Sequence, residues 1–462
     1  MSRTRCAANR LAGAVMSAVV CAAAAVHGQT VGPAADTFSF QDGRSSAFAV
    51  AIAGAGAALE ITWPDTVTTA WDTAVLGIDV AVEADAPAPF VEVTAGTVSE
   101  RQYFRPGDAG PRWLNLSALR GAVGAGTRVQ LRGDGVRIAA GAATLRVFAN
   151  ALDLSRRMLV VAPHPDDAEI AAFGLYAHRN ATIVTVTTGN AGSPSFDAVF
   201  DDVPAGYAFK GRIRLIDSIT VPWLGGIPPD RAFNMGYFDA RLAEMHERPT
   251  AVVPERYGPN TDLGVYLRHN IGSLLPKERR ESTWSNLVDD LVRVLTKVEP
   301  AVIVAPHPQL DTHPDHRFTT VALARAMARW RRPATLLLYT NHADLNRYPY
   351  GPAGTAVSLP PPVAQDVRLD RLYSHPVSPD LQRLKLFALE AMHDLRISPS
   401  RLYQLLVGDG RTVVPERFDP PGGVPYLRRG PRSNELFFVY DERSVTPMVE
   451  AFLTTWRGRV TP

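Results

Sequence analysis

The sequence predicts a chain of two unlike parts. A small antiparallel β-sandwich covers residues 36–150, and an α/β unit built on a parallel sheet covers residues 156–450. Three observations carry this reading. Between Asp36 and Asn150 apolar and polar residues alternate at period two, Gly and Pro clusters separate the runs, and no helical pattern intervenes. From Met158 onward short branched apolar runs alternate with helical patterns, which implies right-handed crossovers and parallel strands. Two of those runs, Met158–Ala162 and Ala301–Ala305, break at proline into clusters of His and Asp, at the strand ends where open α/β sheets hold ligands.

A chain of 462 residues with 46% apolar and 20% charged residues has a globular balance and is too long for one ordinary domain. The net charge of +2 is spread without a basic block, so no nucleic-acid partner and no anionic membrane surface is expected. Arg3, Arg5 and Arg10 precede an apolar run from Leu11 to Val26, and Val26-His27-Gly28 offers a small-residue cleavage site. Residues 1–28 therefore read as a signal peptide, and the mature chain as exported, to the periplasm or medium if the host is bacterial. Both cysteines, Cys6 and Cys21, lie in that peptide, so any metal site must use His and carboxylate ligands. No later run is long enough to cross a bilayer, and no stable membrane insertion of the mature chain is expected.

The sandwich strands are marked by Ile78, Val80 and Val82, by Val129 and Leu131, and by Leu145 and Val147. Trp63, Trp71, Trp113, Tyr103 and Phe104 are expected to fill its thin core; stacking on sugar rings is the competing role. In the α/β unit a strand Met158–Ala162 leads to a helix Glu169–His178 and a strand Ala181–Thr187. The loop Thr188-Gly-Asn-Ala-Gly192 that follows suits a close backbone approach to a ligand. Residues 193–280 read as irregular, a wall for the substrate. Leu287, Leu291, Leu295 and Val298 mark an amphipathic helix stopped by Pro300, before the strand Ala301–Ala305. A helix Val321–Trp330, a strand Ala334–Tyr339, a helix Leu381–His393 and a strand Glu435–Tyr440 complete the unit, with a closing cap.

In His164-Pro-Asp-Asp167 an imidazole and a carboxylate three residues apart sit on one side of a turn, and His313-Pro-Asp-His316 repeats the spacing. Together they allow a two-His, one-carboxylate site with open positions, suited to Zn²⁺ and also to Fe²⁺ or Co²⁺. An ion so held lowers the pKa of its water to about 7, and a nearby carboxylate can take the proton. Asp166 is placed for that role. His313, protonated and oriented by Asp315, is the candidate that stabilises an oxyanion. One such cluster alone would read as a helix cap; two, each behind a strand, favour a metal site.

Pro163-His-Pro-Asp-Asp-Ala-Glu169 with His313-Pro-Asp-His316 resembles the PIG-L/LmbE-like family of metal-dependent deacetylases, marked by AHPDDxE and a downstream HPDH. The resemblance runs from Met158 to the early 400s and leaves the sandwich outside. It implies a Rossmann-like fold holding one zinc and hydrolysis of the N-acetyl amide of a glucosamine-type sugar. Carried over, it makes His164, Asp167 and His316 the metal ligands, Asp166 the general base, and His313 the oxyanion histidine with Asp315 behind it. Pro163 stands where alanine is usual, and Asn190 where an acidic residue is usual. Asn234-Met-Gly-Tyr-Phe-Asp239 is similar to the family's Leu-Gly-x-x-Asp segment, which implies Asp239 near the sugar; Arg212 is a second candidate for substrate contact. His307, in a repeat of Val161-Ala-Pro-His-Pro165, competes with His316 for the ion but is assigned to the pocket wall or to support of a ligand. His393 is assigned to the surface.

The expected function is removal of an N-acetyl group from an N-acetylglucosamine-type sugar in a glycan or aminosugar conjugate. The alternatives are an amidase for another acylated aminosugar conjugate and a non-catalytic glycan-binding protein. Intact Asp166 and His313 argue against the latter, since binding needs neither.

Overall fold

The period-two runs pair as antiparallel strands. In chain order these are β2 (Ser46–Ala55), β3 (Ala58–Thr62), β4 (Thr73–Val82), β5 (Phe90–Ala95), β6 (Val98–Tyr103), β7 (Ala109–Asn115), β8 (Arg128–Asp134), β9 (Val136–Ile138) and β10 (Gly141–Phe148), preceded by β1 (Ser39–Phe40), which pairs instead in parallel with Arg368–Leu369. The structure is a computed structural model that describes residues 38–460 except 42, 57, 68–69, 193–195, 197–198, 279, 362–366 and 396–428. The signal peptide expected at 1–28 lies outside the described residues. Strands run in the order β6-β5-β8-β3-β2-β10-β4-β7, with β9 on β4. β2 changes partner partway, from β10 over Ser46–Ile52 to β3 over Ala53–Ala55, which joins the two leaves of the sandwich. The turn back into β3 needs Gly54, whose φ is +112° and whose absent Cβ would lie 2.0 Å from the Ala58 carbonyl oxygen.

Ile61, Val91 and Leu131 from one leaf meet Leu76, Leu114 and Leu145 from the other in one core. Trp63, Trp71 and Phe104 are buried there, and Trp113 and Tyr103 are half-buried against Phe40 and Phe90. The aromatics thus take part in packing.

The second unit contains β11 (Met158–Ala162), α1 (Asp167–Tyr176), β12 (Ala181–Thr187), α2 (Val203–Thr220), β13 (Ala232–Tyr237), α3 (Leu242–Glu247), α4 (Gly264–Leu267), α5 (Trp284–Val298), β14 (Val302–Pro306), α6 (Pro314–Trp330), β15 (Thr335–Tyr339), β16 (Arg368–Leu369), β17 (Arg371–Pro376), α7 (Pro379–Ala391), β18 (Asn434–Asp441) and α8 (Glu442–Val460). Apart from β16, which pairs with β1, its described strands form a sheet in the order β13-β12-β11-β14-β15-β18-β17. The first five are parallel, and β18 runs antiparallel to both β15 and β17. All of β11 is buried, and its residues alternate between two cores. Leu159 and Val161 face Leu291, Leu295 and Val321 of α5 and α6; Met158 and Val160 face Phe173 and Ala388 of α1 and α7. Helices therefore cover both faces, which is why the strands read as unbroken apolar runs. Each such side chain contributes about 1.5–3 kcal/mol. The chain order reverses between β11 and β14, and the carboxyl ends of strands at such a reversal are where a ligand crevice opens.

Residues 193–280 are not irregular throughout, because α2 and β13 lie within them. Two glycines and several β-branched residues lower the helix propensity of α2 and hide its period. Asp202 caps it by accepting from Ala205 N at 3.0 Å, and Leu215 and Ile219 anchor it in the core. The first helix starts at Asp167 and breaks at Ala172 (φ −140°, ψ 15°). The amides of Gly174 and Leu175 instead donate to the Glu435 carboxylate, each at 2.8 Å, and Lys385 Nζ joins it at 2.8 Å. Helix α6 starts at Pro314, earlier than expected, so His316 stands in its first turn.

The sandwich is tied to the sheet by polar contacts. Asn115 donates to Val357 O at 3.0 Å and Ser374 Oγ at 2.9 Å, and Asn150 Nδ2 donates to Leu372 O at 2.7 Å. Phe38, Val75 and Phe148 join the core of the second unit.

Candidate metal centre and catalytic cleft

The loops after β11 and β14 bring the two sequence clusters face to face. His164 Nδ1, Asp167 Oδ2 and His316 Nε2 form a nearly equilateral triangle. His164 Nδ1 lies 3.1 Å from Asp167 Oδ2 and 3.2 Å from His316 Nε2, and the third side is 3.0 Å. Ligands 2.0–2.1 Å from a tetrahedral ion stand about 3.3 Å apart, so the triangle fits a first-row divalent ion after only slight expansion. Other donor groups overlap it: His164 with His313 and His316, Asp167 with His316 and His342, and His164 with Asp239 and Asp315. The first triangle is distinguished by its supports. His164 Nε2 meets Asp239 Oδ1 at 3.1 Å, and His316 Nδ1 meets Asp311 Oδ2 at 3.0 Å. Each imidazole thus has its far nitrogen held by a buried carboxylate, which fixes the ring and the tautomer that points a lone pair at an ion. Asn341 Nδ2 donates to Asp167 Oδ1 at 2.7 Å, while Oδ2, which accepts from the His164 amide at 2.9 Å, forms the corner of the triangle.

Electrostatics agree with this geometry. Burial opposes charge on both rings, yet Asp239, Asp167 and Asp315 hold His164 well above the usual imidazole range. Asp167 and Asp311 push His316 up to about 9. Burial works against the Asp167 carboxylate, but His316 and His164 hold it well below the ordinary range. So dense a set of carboxylates attracts positive charge, and a divalent ion is the form of it that this donor set suits.

The triangle opens on a cleft of about 470 Å³, walled by Asp166, Arg214, His313, His342, Tyr257 and Leu395 among others. Asp166 Oδ2 accepts from Arg214 Nη2 at 3.1 Å. Burial raises the pKa of Asp166, opposed by Arg214 and assisted by Asp167. His313 Nδ1 caps α6 by accepting from Asp315 N at 3.2 Å, so its proton is carried on Nε2. Burial, then His164, His316 and His342, press its pKa well below the usual value. In this arrangement Nε2 is the donor that His313 offers the cleft.

The other expected positions are placed as follows. The Asp315 carboxylate does not brace the His313 ring; it accepts from Ala240 N at 2.6 Å and Leu242 N at 3.2 Å and lies 3.5 Å from His164 Nε2. Asp239 lines the cleft, but its oxygens are engaged by His164 and by Ala191 N at 3.0 Å, which makes it a support of the ligand more than a sugar contact. Arg212 is exposed on the outer side of α2 and is not in the cleft wall; Arg214, two positions on, is. His307 is buried away from the cleft. Its Nδ1 accepts from Gln309 N and Leu310 N, its Nε2 meets Tyr440 Oη at 3.0 Å, and burial depresses it to about 3. It closes the β14 loop and competes for no ion. His393 is half-exposed and pairs with Asp217 at 2.8 Å. Gly189 has φ +63°, and the space of its missing Cβ is taken by Arg214, 2.2 Å from Nη1, rather than by a ligand.

Asp311, Asn341 and Arg214 have no motif that would reveal them. Asp311 falls five residues before His316 in the second cluster, and only that proximity hinted at it.

No curated protein matches the chain in sequence. Among solved structures it is similar to GalB, the 4-carboxy-2-hydroxymuconate hydratase from Pseudomonas putida KT2440, at 10% identity and TM-score 0.32, covering 62% of this chain and 95% of that one. It is also similar to a family two carbohydrate esterase from Cellvibrio japonicus, at 14% identity and TM-score 0.15, covering 65% of this chain and 90% of that one. A third is the acetyl xylan esterase Est2A from Butyrivibrio proteoclasticus, at 12% identity and TM-score 0.16, covering 59% and 77%. Superpositions this loose do not equate the folds. The family described as GlcNAc-PI de-N-acetylase matches residues 159–327, a span that includes all three corners of the triangle, Asp166 and His313. Residues 159–327 of this chain are a PIG-L domain, of the LmbE-like family.

Proposed function

We propose that this chain is an exported, zinc-dependent hydrolase that removes the N-acetyl group from an N-acetylglucosamine-type sugar within a glycan or glycoconjugate. The observation that carries the reading is the triangle of His164, Asp167 and His316 at the floor of a cleft that also presents Asp166. The family suggests deacetylation of such sugars and is metal-dependent. The strand order, third-second-first-fourth-fifth in parallel, supports a Rossmann-like reading of the sheet. The N-terminal Arg residues and apolar run support export.

A divalent ion held by His164, Asp167 and His316 would supply Lewis-acid polarisation and acidify a water to a pKa of about 7. The protein groups do the rest. Arg214 occupies Asp166 Oδ2, which leaves Oδ1 to take the proton of the attacking water. Hydroxide oxygen bonds to the acetyl carbon as the carbonyl electron pair moves onto oxygen. His313, with its proton on Nε2, donates to that developing oxyanion. The proton held on Asp166 then passes to the sugar nitrogen as the oxyanion electron pair re-forms the carbonyl and the C–N bond breaks, giving the free amine and acetic acid, which ionises to acetate. Burial raises the Asp166 pKa, which suits a group that must both take and return a proton.

Acetate release from N-acetylglucosamine oligosaccharides by the purified chain, before and after chelation, tests this. Release that stops on chelation and returns with Zn²⁺ is expected. A metal-loaded protein that releases no acetate from any N-acetylated aminosugar overturns the reading.

A further inference from the structure

The chemistry above uses the floor of the cleft and leaves the rest of it unexplained. Tyr257 lines the cleft and lies flat on Tyr207 of α2, with ring centroids 3.9 Å and planes 16° apart. Tyr207 stacks on one face of Tyr257, and this half-buried ring is part of the cleft wall. The Arg256 guanidinium is 5.7 Å from its centroid, at the outer limit of a cation–π contact.

The loop carrying this ring is tied to the rest of the cleft through Asn190. Asn190 Oδ1 accepts from Asp239 N at 3.1 Å, and Asn190 Nδ2 donates to Glu255 Oε2 at 3.1 Å. Glu255 also accepts from Tyr266 Oη at 3.4 Å, and its amide donates to Asn260 O at 2.9 Å. Gly258 lets the loop fold over this carboxylate, since a Cβ there would sit 2.4 Å from Glu255 Oε1. An acidic residue at position 190 would set two buried carboxylates against each other, so Asn190 and the Glu255 loop belong together. One side chain thus links Asp239, which supports the His164 ring, to the loop presenting Tyr257.

We propose that Tyr257, backed by Tyr207 and held by the Asn190–Glu255 tie, is a stacking platform for a second pyranose ring. The substrate class is then an oligosaccharide and not a free aminosugar. An aromatic face offers a sugar ring broad apolar contact with little conformational freedom to lose, and 470 Å³ lies within the range of pockets that enclose ligands larger than one ring. The inference rests on the aminosugar reading above, and its test is read by binding, so the two can fail separately.

Calorimetric titration of the zinc-loaded full chain, in the Asp166→Asn background, with N-acetylglucosamine and its β-1,4-linked dimer and trimer reads the platform directly. The dimer should bind at least about tenfold tighter than the monosaccharide. Tyr257→Ala should abolish most of that ratio, Tyr257→Phe should keep it, and Asn190→Asp should reduce it. Equal affinity for monomer and dimer, a ratio that survives Tyr257→Ala, or no binding of any of the three sugars would overturn the proposal. A dimer preference without acetate release from the active protein would leave the platform standing and remove the deacetylase reading.

Discussion

Arg214 Nη2 donates to Asp166 Oδ2 at 3.1 Å while its Nε reaches Asp394 Oδ2 at 3.1 Å, so one buried guanidinium bridges the proposed base to a second carboxylate. The cation favours the charged form of Asp166 and offsets part of the rise that burial imposes.

Removing that cation should therefore raise the Asp166 pKa. In Arg214→Met the acid limb of kcat/KM should move to higher pH by about one to three pH units, because the base is protonated over a wider acidic range. A pH–rate profile checks this; an unmoved acid limb would separate Arg214 from the base.

Asp166→Asn keeps the shape of the side chain and removes its ability to accept a proton. Turnover should fall by about 10²–10⁴-fold with metal content unchanged. Full hydrolysis by the loaded variant would show that another group takes the proton.

The supports behind the triangle should act on metal affinity. Asp311→Asn leaves an acceptor for the Asn341 and His342 amides but takes the negative charge from His316 Nδ1. Zinc affinity should drop by about 10–100-fold, read by competition with a chromophoric chelator. Asn341→Ala, which frees Asp167 Oδ1, should weaken it as well.

The legible part of this protein is the part whose physics is local. Buried parallel strands announce themselves as unbroken apolar runs, so β11 and β14 and the clusters behind them are visible in the sequence. The alternation of the sandwich is equally plain. Helix α2 is not, because Gly206 and Gly211 interrupt its pattern and its stability comes from packing and from the Asp202 cap. Strand β17 and helix α8 also escape notice. Residues whose role is to hold another side chain are harder still: Asp311, Asn341 and Arg214 gain their meaning from partners brought near by the fold. Arg212 illustrates the error this causes, since it and Arg214 are alike in sequence and only the latter turns to the cleft. The Asp315 carboxylate was expected at His313 but meets the amides of Ala240 and Leu242, from a loop the spacing of the motif does not reveal.

The kink in α1 makes a prediction about stability. Glu435 is buried, accepts from the Gly174 and Leu175 amides, and is paired with Lys385. Lys385→Met leaves that carboxylate without its counter-charge and should cost about 3–5 kcal/mol, measured by guanidinium denaturation. A variant as stable as the parent would show that the two amides suffice to satisfy Glu435.

The central claim is that three side chains from two distant clusters hold one ion. Metal content of the purified chain after zinc reconstitution and dialysis, compared with His164→Ala, Asp167→Ala and His316→Ala, tests it most directly. The account predicts about one zinc per chain in the parent and loss of tight binding in each variant, with His307→Gln retaining it. A parent that binds no divalent ion, or variants that keep it at full occupancy, would contradict the account.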